Sequence, residues 1–545
     1  MKRVIIGLGM VFILLTMSIR PILAIDINIR VFLNNKQITY NVNYGIPFAD
    51  ENNRTQVPLR LTLESFGAKV TWDNLKKEAT VTKGAITVKV PLNASYFYRN
   101  DEVIIMDTMS VAKSGRLYIP IRAVMEAFGC TVVWVGSAKS VYIDYAVANS
   151  TLETIPLKYD SRTVGKVSSV KDQGAIGACW AFASTAALES YLLPDETYDF
   201  SEDHLSLAHG YNLAQDEGGD YHVAMSYYAA WKGPINEIDD PYGDGVYNPD
   251  SIAAKHVQEM QLIPKKDYAS IKLSIMAYGA VESTLYLDYN AFYDSSNYYN
   301  PVNYAYYYKG NIGANHDILI IGWDDTYSKS LFQSEPLSDG AFICKNSYGT
   351  DFGDEGYFYV SYEDANIGNK NIVYSKVENA DNYDHIYQTD NLGWVGTVGY
   401  GTNTAYFGNV YEPVNKREKI EAVSFYATGI NTTYEIYVVK SYSSQADVST
   451  MKLYKRGTLN FAGYYTIPLT TPILVSGQFA VIIKIKTPNT TRPVAVEADK
   501  DVSWLGEVDI SDGYGLISSN GINWSNTESL VKSNVCLKVF TDKIE

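Results

Sequence analysis

Cysteine and basic residues are both scarce in this chain of 545 residues. Its four cysteines are too few for a disulfide-dense scaffold or a cysteine-rich zinc module. Lysine and arginine total 45 against 61 acidic residues, and the formal net charge of −16 disfavours nucleic acid and anionic membranes as partners. Beyond residue 24 no apolar run reaches the roughly 20 residues of a bilayer-spanning helix, so we expect no transmembrane anchor.

What the chain does contain is typical of a globular protein with several domains. Hydrophobic residues make up 46% and charged residues 19%, a balance that argues against general disorder. At roughly 100–200 residues per domain, the length predicts three or four domains. Tyrosine, with 46 copies, favours strands and wet interfaces and therefore predicts abundant β-sheet.

The first 24 residues have the pattern of a secretory signal peptide. Lys2 and Arg3 precede an apolar run at residues 4–17, and Ala24 supplies a small residue for cleavage. The run is short for a membrane anchor. We therefore expect an exported protein, from a host that does not routinely oxidise its exported proteins to disulfides.

Residues 25–150 contain an internal duplication with an offset of 62 residues. The segment VPLR at 57–60 aligns with IPIR at 119–122, and Glu, Phe, Gly, Val and Trp follow at matching positions in both copies. Gly67 and Gly129 stand where each predicted helix ends and requires a left-handed residue. The duplication predicts a small α+β domain with two related halves.

This duplicated segment resembles the copper amine oxidase N-terminal-like domain of exported bacterial proteins. The name implies no copper here, because the segment has no histidine and its single Cys130 cannot form a site alone. The resemblance implies a structural or envelope-binding module.

The segment KDQGAIGACWAFA at 171–183 places a cysteine at a predicted helix N-terminus. Gly174 and Gly177 allow a tight loop before Cys179, and the Ala- and Leu-rich run at 180–193 predicts a helix. The positive end of the helix dipole would stabilise a thiolate, the form that a cysteine nucleophile needs. A buried, inert cysteine is the alternative, and two later segments weigh against it.

These two segments supply a histidine and an asparagine. His316 opens NHDILIIGW at 315–323, whose apolar run predicts a buried strand. Asn346 lies in AFICKNSYGTDFGDEGY at 341–357, between a short apolar segment and a Gly-rich turn. An asparagine oxygen can accept a hydrogen bond from one imidazole nitrogen, which leaves the other nitrogen to face the sulfur.

Gln173, Cys179-Trp180, His316 and Asn346, in this chain order, resemble the motifs of the papain-like cysteine peptidases. The histidine and asparagine follow the cysteine by 137 and 167 residues, and about 130–150 is usual in the family. The excess falls in a predicted surface insertion at 326–339. Further matches are Phe200-Ser201-Glu202 ahead of Leu205, Gly218-Gly219 and Pro241-Tyr242.

The resemblance implies a cysteine endopeptidase that needs no metal or cofactor and acts on protein or peptide substrates. Cys179, as a thiolate paired with the imidazolium of His316, would attack the peptide carbonyl, and Asn346 would orient His316. The side-chain amide of Gln173 would stabilise the oxyanion together with the Cys179 backbone N–H. The substrate-binding residues implied are Gly218 and Gly219 along the substrate backbone, Asn315, and Trp180 packed beneath the site.

The chain departs from the family pattern at several positions. Ile176 and Asp216 replace the two cysteines of a family disulfide, so we expect that bridge to be missing. Tyr348 replaces the tryptophan that shields the His–Asn hydrogen bond, and we expect it to do so less completely. Asp317 follows the histidine where a small residue is common, and we expect its charge to raise the pKa of the imidazole.

From residue 383, alternating strands punctuated by Gly, Asn and Thr predict an antiparallel β-sandwich. The opening YDHIYQTDNLGW at 383–394 resembles a lectin-like domain that follows papain-like peptidases in bacterial cell-surface proteins. The resemblance implies glycans or cell-envelope polymers as partners. Glu507, Asp509 and Asp512 match no complete calcium loop, which favours a solvated acidic turn.

Together these patterns predict an α+β multidomain protein, secreted or at a bacterial cell surface. The expected parts are a signal peptide at 1–24, the duplicated domain at 25–150, a papain-like domain with a helical half and a β-barrel-like half at 151–380, and a lectin-like β-sandwich at 381–545.

Two other functions stay open. A papain-like protein that has lost catalysis could bind envelope or carbohydrate, and a related thiol transferase such as a transglutaminase also uses Cys-Trp and a later histidine. Gln173 and Asn346 count against the transferase. A further hypothesis concerns inhibition, because no helical propeptide of the usual type precedes Ser161. Residues 25–150, or the linker at 146–157, would then take that role, and cutting the linker would raise activity.

Overall fold

The computed structural model of the chain describes residues 29–544 apart from 34–35, 42–43, 53, 84–85, 101, 136–138, 145–154, 289–296 and 499–501. The predicted signal peptide and nearly all of the predicted linker lie outside the described residues. The chain divides into two compact units, one up to Ser150 and one from Thr151 onward. In the part of the chain that the structure describes, no helix combines the length and apolarity needed to cross a membrane.

The N-terminal unit is a small α+β fold. Its helices are α1 (Leu59–Ser65) and α2 (Ile121–Ala127). Its strands are β1 (Arg30–Leu33), β2 (Lys36–Gln37), β3 (Phe48–Ala49), β4 (Thr55–Pro58), β5 (Lys69–Asp73), β6 (Glu78–Lys83), β7 (Ile86–Pro91), β8 (Tyr96–Arg99), β9 (Glu102–Ile105), β10 (Val111–Lys113), β11 (Arg116–Pro120), β12 (Thr131–Val135) and β13 (Ser140–Asp144).

The two halves of this unit meet around a local two-fold relationship. Strands β4 and β11, which precede α1 and α2, pair antiparallel with the repeat-equivalent residues Val57 and Ile119 directly opposite each other. The equivalent Phe66 and Phe128 rings also touch, with centroids 5.6 Å apart. The glycines after both helices have φ near +80°, so the predicted helix ends are confirmed.

The central region, up to about residue 380, combines buried helices with strands. Its helices are α3 (Cys179–Leu192), α4 (Glu202–Ala208), α5 (Tyr221–Ala229) and α6 (Tyr268–Ala277). Its strands are β14 (Lys158–Asp160), β15 (Lys255–Leu262), β16 (Val281–Leu285), β17 (Tyr299–Asn300), β18 (Ala305–Tyr306), β19 (His316–Asp324), β20 (Ala341–Lys345), β21 (Tyr357–Ser361) and β22 (Asn371–Asn379).

Helix α3 is the centre of this region. Its sequence, CWAFASTAALESYL, is rich in strong helix formers, and all but one of its residues are buried. A helix that is apolar on every side needs cover on every side, and α3 packs against α4, α5, β16, β19 and β22. The nucleophile candidate at its first residue therefore has a rigid support.

The C-terminal region is mostly strand, with one short helix, α7 (Thr527–Val531). Its strands are β23 (His385–Tyr387), β24 (Gly396–Val398), β25 (Thr404–Tyr411), β26 (Glu418–Ala427), β27 (Thr432–Val439), β28 (Lys452–Leu459), β29 (Ala462–Val475), β30 (Phe479–Lys486), β31 (Val494–Ala498), β32 (Gly515–Ser518), β33 (Ser525–Asn526), β34 (Ser533–Val535) and β35 (Leu537–Lys543).

These strands form the predicted antiparallel sandwich. One layer is the sheet β29-β26-β35-β23, and the other is the sheet β28-β27-β30-β25-β32-β33. Alternate residues of both layers, among them Phe425 and Ile483, meet in one apolar core. The expected α+β architecture with a β-rich C-terminal region is confirmed.

The sandwich is joined to the central region by a shared sheet. Strand β15 pairs with β22 on one side and with β29 of the sandwich on the other, with Met260 opposite Tyr464. Gly463 permits this pairing, because its φ is +139° and a Cβ there would lie 2.1 Å from the Met260 carbonyl oxygen. Main-chain hydrogen bonds thus run continuously between the two regions.

Candidate active site

Cys179 is the first residue of α3 and is 9% exposed. The loop before it turns at Gly174, whose φ is +63°, and passes close to a second loop at Gly177. A Cβ on Gly177 would lie 2.6 Å from the Asp216 carbonyl oxygen, so only glycine fits there. The thiol therefore sits at the end of a helix and between two tightly packed loops.

His316 and Asn346 lie at the same end of two neighbouring strands. His316 begins β19 and Asn346 follows the last residue of β20, and these two strands pair antiparallel. The Oδ1 atom of Asn346 lies 2.8 Å from Nε2 of His316 and also accepts the Ser347 N–H. The Tyr348 ring packs against the imidazole with centroids 5.1 Å apart, in the shielding position that we predicted for it.

Cys179 and His316 line one cleft, but no hydrogen bond joins them. Nδ1 of His316 is buried and has no hydrogen-bond partner. The nearest polar contact of the sulfur is instead Asp317, whose Oδ2 lies 4.0 Å from Sγ. Asp317 thus points inward, toward the thiol.

The electrostatics of the site correct one of our predictions. Burial, and next the charge of Asp317, raise the pKa of the Cys179 thiol to about 12. Burial lowers the pKa of His316 to about 4, against the opposing effect of the Asn346 hydrogen bond. The prediction that Asp317 raises the imidazole pKa is wrong, because the net shift is downward and its causes are burial and the Asn346 hydrogen bond.

Gln173 lies beside the loop that carries the thiol. Its Nε2 donates to the Ile176 carbonyl at 2.8 Å, and its Oε1 accepts from Ser347 Oγ at 2.6 Å. Tyr242 donates to its backbone carbonyl at 2.9 Å. One amide hydrogen of Gln173 is thus committed to the loop, and the second is left for another acceptor.

Ser347 was not singled out from the sequence. Its hydroxyl fixes the orientation of the Gln173 amide, and its own backbone carbonyl accepts the Gln173 N–H at 2.9 Å. The only indication of this role in the sequence is that Ser347 directly follows Asn346. It connects the segment of the asparagine with the segment of the glutamine.

The residues predicted to bind substrate line the same cleft, which has a volume of about 560 Å³. Gly218 and Gly219 form one wall, and Asn315 contributes to the other. The Asn315 side chain is itself engaged with both backbone groups of Leu287, so it fixes the wall. These residues lie together along one cleft, and Gln173 is not among those that line it.

Trp180 is 1% exposed and supports the cleft from below. Its indole ring packs so closely on Gly219 that a Cβ there would lie 2.5 Å from Cε2. Its position is that of a packing residue.

The four cysteines, Cys130, Cys179, Cys344 and Cys536, are all free and buried. The bridge expected to be missing is therefore absent. No group of three or more His, Cys, Asp or Glu side chains suited to a metal occurs among the described residues.

The region that carries the site matches a known protein family. Residues 155–377 match the papain family cysteine protease pattern. A viral cathepsin of Choristoneura fumiferana defective polyhedrosis virus is 31% identical over 250 residues, which are 44% of this chain and 69% of that protein. This chain belongs to the papain family of cysteine proteases. A viral cathepsin of Adoxophyes honmai nucleopolyhedrovirus is 28% identical over 38% of this chain and 58% of that protein.

The flanking regions of the protease also match known families. Residues 32–143 match the copper amine oxidase N-terminal domain, and residues 386–541 match the lectin-like domain. The clostridial cysteine protease Cwp84 after propeptide cleavage is 27% identical, with a TM-score of 0.64 over 71% of this chain and 99% of that one. The protease and lectin-like domains of Cwp84, a surface layer associated protein of Clostridium difficile, give a TM-score of 0.63 at 27% identity, over 71% of this chain and 89% of that one.

Proposed function

We propose that this protease hydrolyses peptide bonds with Cys179 as nucleophile, His316 as general base and acid, and Asn346 as the residue that orients His316. The observation that carries the proposal is the 2.8 Å contact between Asn346 Oδ1 and His316 Nε2. This hydrogen bond occupies Nε2 of the imidazole. Nδ1, which has no hydrogen-bond partner, is left to take the proton of the thiol in the same cleft.

The reaction proceeds through a thiolate–imidazolium pair of Cys179 and His316, which forms when Nδ1 of His316 takes the thiol proton. Burial opposes charge on either group alone, and the two opposite charges stabilise each other. The thiolate then attacks the peptide carbonyl. The imidazolium then gives the proton to the leaving amine, and water hydrolyses the thioester. Asn346 acts through the ring, since its acceptor oxygen fixes the plane of the imidazole.

Two donors would stabilise the oxyanion in this mechanism. The Cys179 N–H lies in the first turn of α3, where the helix offers no intrahelical acceptor. The second amide hydrogen of Gln173 complements it, with the amide plane fixed by Ser347 and Ile176. In enzymes that use this type of chemistry, each such donor stabilises the transition state by about 3–4 kcal/mol.

The substrate would lie extended along Gly218 and Gly219. These positions have no side chain to fill the cleft, and Gly219 could not carry one because Trp180 lies directly beneath it. An extended peptide needs backbone partners more than side-chain partners, which glycines leave accessible. Asn315 fixes the opposite wall.

The boundaries proposed are a signal peptide at 1–24, a copper-amine-oxidase-N-like domain at 25–150, the papain-like domain at 151–380 and the lectin-like sandwich at 381–545. Cwp84, which shares the last two domains, is surface layer associated, and this likeness supports a secreted or cell-surface location here. The lectin-like region would then bind glycans or other envelope polymers. Residues 25–150 would serve either as an envelope module or as a pro-region removed at the linker.

Cleavage of casein by the purified full chain tests the proposal, before and after limited proteolysis of the linker. The matched variants are Cys179→Ala and Cys130→Ala, which each remove one buried thiol. We expect loss of cleavage in the first and normal cleavage in the second. A higher rate after linker cutting supports a pro-region, and equal rates exclude it. Equal cleavage by Cys179→Ala and the wild type would contradict the proposed nucleophile, and a folded, inactive wild type would favour the silent binding protein.

A further inference from the structure

The cleft beside Cys179 is polar and carries an excess of negative charge. Asp216, Glu217, Asp220 and Asp317 line it, and among the residues described along this cleft Lys370 is the only cation. Lys370 lies 3.4 Å from Asp220, whose other oxygen is 3.2 Å from His222 Nδ1. Asp220 is therefore already paired by groups of the protein itself, and Asp317 has no ion pair of its own within the described part of the chain. Burial and the charge of Asp220 raise the pKa of Asp317 to about 7, against the opposing charge of Lys370, so a bound cation would favour its ionised form.

Three buried acceptor atoms on the walls of this cleft have no hydrogen-bond partner. They are Oδ1 of Asp317, Oγ1 of Thr284 and Oδ1 of Asn369. Asp317 and Thr284 are 7% and 5% exposed, and they lie directly opposite each other on β19 and β16. The Asn369 amide nitrogen already donates to the Ala365 carbonyl, so its oxygen faces away from that bond.

Unpaired buried acceptors are costly unless a donor reaches them. A group that carries several donors, no acceptor and a positive charge can pair with such acceptors, and an ammonium or guanidinium is such a group. An apolar side chain in the same place would leave the three acceptors unpaired and would remove the Asp317 carboxylate still further from water. The side chains that line the cleft therefore favour a cation, which they attract. They disfavour an apolar group, which would separate their polar atoms from water without giving them a partner.

We propose that this cleft binds the cationic side chain of a lysine or arginine in the substrate, through Asp317 and the acceptors beside it. The inference rests on the proposed function and adds the substrate class. Because Oδ2 of Asp317 is 4.0 Å from the nucleophilic sulfur, the cation belongs to a residue within a few positions of the cleaved bond. Asp317 is thus a specificity-determining residue, and its inward orientation is what places it there.

The test uses the full chain and sets of peptides that differ in one side chain, at each of three positions on either side of the cleaved bond. Lysine is compared with norleucine, which keeps the chain length and lacks the ammonium, and with arginine and glutamate. We expect one position at which kcat/KM for lysine exceeds that for norleucine by about tenfold or more. Glutamate at that position should be the poorest substrate.

Variants assign this preference to the cleft. Asp317→Asn should reduce the lysine-to-norleucine ratio by about tenfold. Thr284→Val, which keeps shape and charge, should reduce it by a smaller factor. Asp250→Asn, an exposed carboxylate outside the cleft, should leave the ratio unchanged.

Equal rates for lysine and norleucine at every position would overturn the inference, as would a preference that Asp317→Asn leaves intact. If Asp317→Asn does not fold, the wild-type peptide comparison and Thr284→Val decide the question, and an unchanged ratio in Thr284→Val overturns it. Labelling of Cys179 by an epoxide inhibitor is followed in parallel. Absent labelling would contradict the proposed function, whereas labelling without a cation preference would contradict only the inference.

Discussion

Asn346 holds His316 by a single hydrogen bond of 2.8 Å, made to Nε2 on the side of the ring away from its unpartnered nitrogen. The Tyr348 ring packs against the same imidazole. When an imidazole ring is held through one nitrogen, its other nitrogen points in one fixed direction. In the proposed mechanism, the reaction geometry at Cys179 therefore depends on a residue that does not itself touch the substrate.

Asn346→Ala removes the acceptor and should lower kcat/KM for peptide cleavage by about tenfold or more, the worth of one hydrogen bond. A positioning role also predicts a changed pH profile of kcat/KM, because the Asn346 bond raises the pKa of His316. The apparent pKa of the imidazole should therefore fall further in the variant. An unchanged pH profile with reduced activity would point to a purely structural role.

Gly219→Ala should disrupt the cleft, because its Cβ would lie 2.5 Å from the buried Trp180 ring. Moving a buried indole costs about 1–3 kcal/mol of unfolding free energy, and it also displaces the proposed wall for the substrate backbone. We expect a lower Tm together with a higher KM. Gly313→Ala is the matched control, since it lies in the same cleft and its Cβ would meet nothing within 4 Å. Equal Tm and KM in the two variants would contradict this packing.

Gly463→Ala tests the sheet shared by the central and C-terminal regions. A Cβ at this position would lie 2.1 Å from the Met260 carbonyl and would separate β15 from β29. We expect Tm to fall by a few degrees. Peptide cleavage should be lost on heating with the same midpoint as unfolding, because the two regions unfold together. Gly477→Ala, whose Cβ meets nothing within 4 Å, is the control. Two separate calorimetric transitions, with only one shifted, would contradict a shared sheet.

His204 makes the free energy of unfolding depend on pH. Burial lowers its pKa to about 4 in the folded protein, against about 6.5 when unfolded. The unfolded state then binds more protons, so this contribution is complete above pH 6.5 and is lost as pH falls toward 4. Between pH 7 and pH 5 the loss is about 2 kcal/mol at most.

His204→Gln keeps a polar partner for Tyr227, which lies 2.6 Å from Nδ1, and removes the titration. Urea unfolding at pH 7 and pH 5 should show a smaller pH dependence in the variant than in the wild type. Identical differences between the two pH values would contradict the assignment.

The candidate site was accessible from sequence because its residues lie in short motifs with local structural consequences. Cys179 follows a Gly-containing loop and opens an Ala-rich helix, and His316 opens an apolar strand. These features fix which segment each residue belongs to. The Asn346–His316 bond then follows from the antiparallel pairing of two neighbouring strands.

Other features depend on contacts between distant parts of the chain. The pairing of Met260 with Tyr464 joins segments about 200 residues apart, and neither strand specifies its partner locally. The pKa of Cys179 reflects burial by several elements and the charge of Asp317, neither of which the local sequence reveals. The inward orientation of Asp317 is hidden as well, because β19 is buried on both faces and shows no polar alternation.

The nucleophile is tested most directly by labelling the purified full chain with an epoxide inhibitor of cysteine peptidases and mapping the adduct by mass spectrometry. The mechanism predicts a single adduct on Cys179, with loss of casein cleavage in proportion to labelling, and no adduct in Cys179→Ala. It predicts no adduct on Cys344 or Cys536, which are buried and are not among the residues that line the cleft. A folded protein that cleaves casein while Cys179 stays unlabelled, or that labels elsewhere with the same loss of activity, would contradict the mechanism.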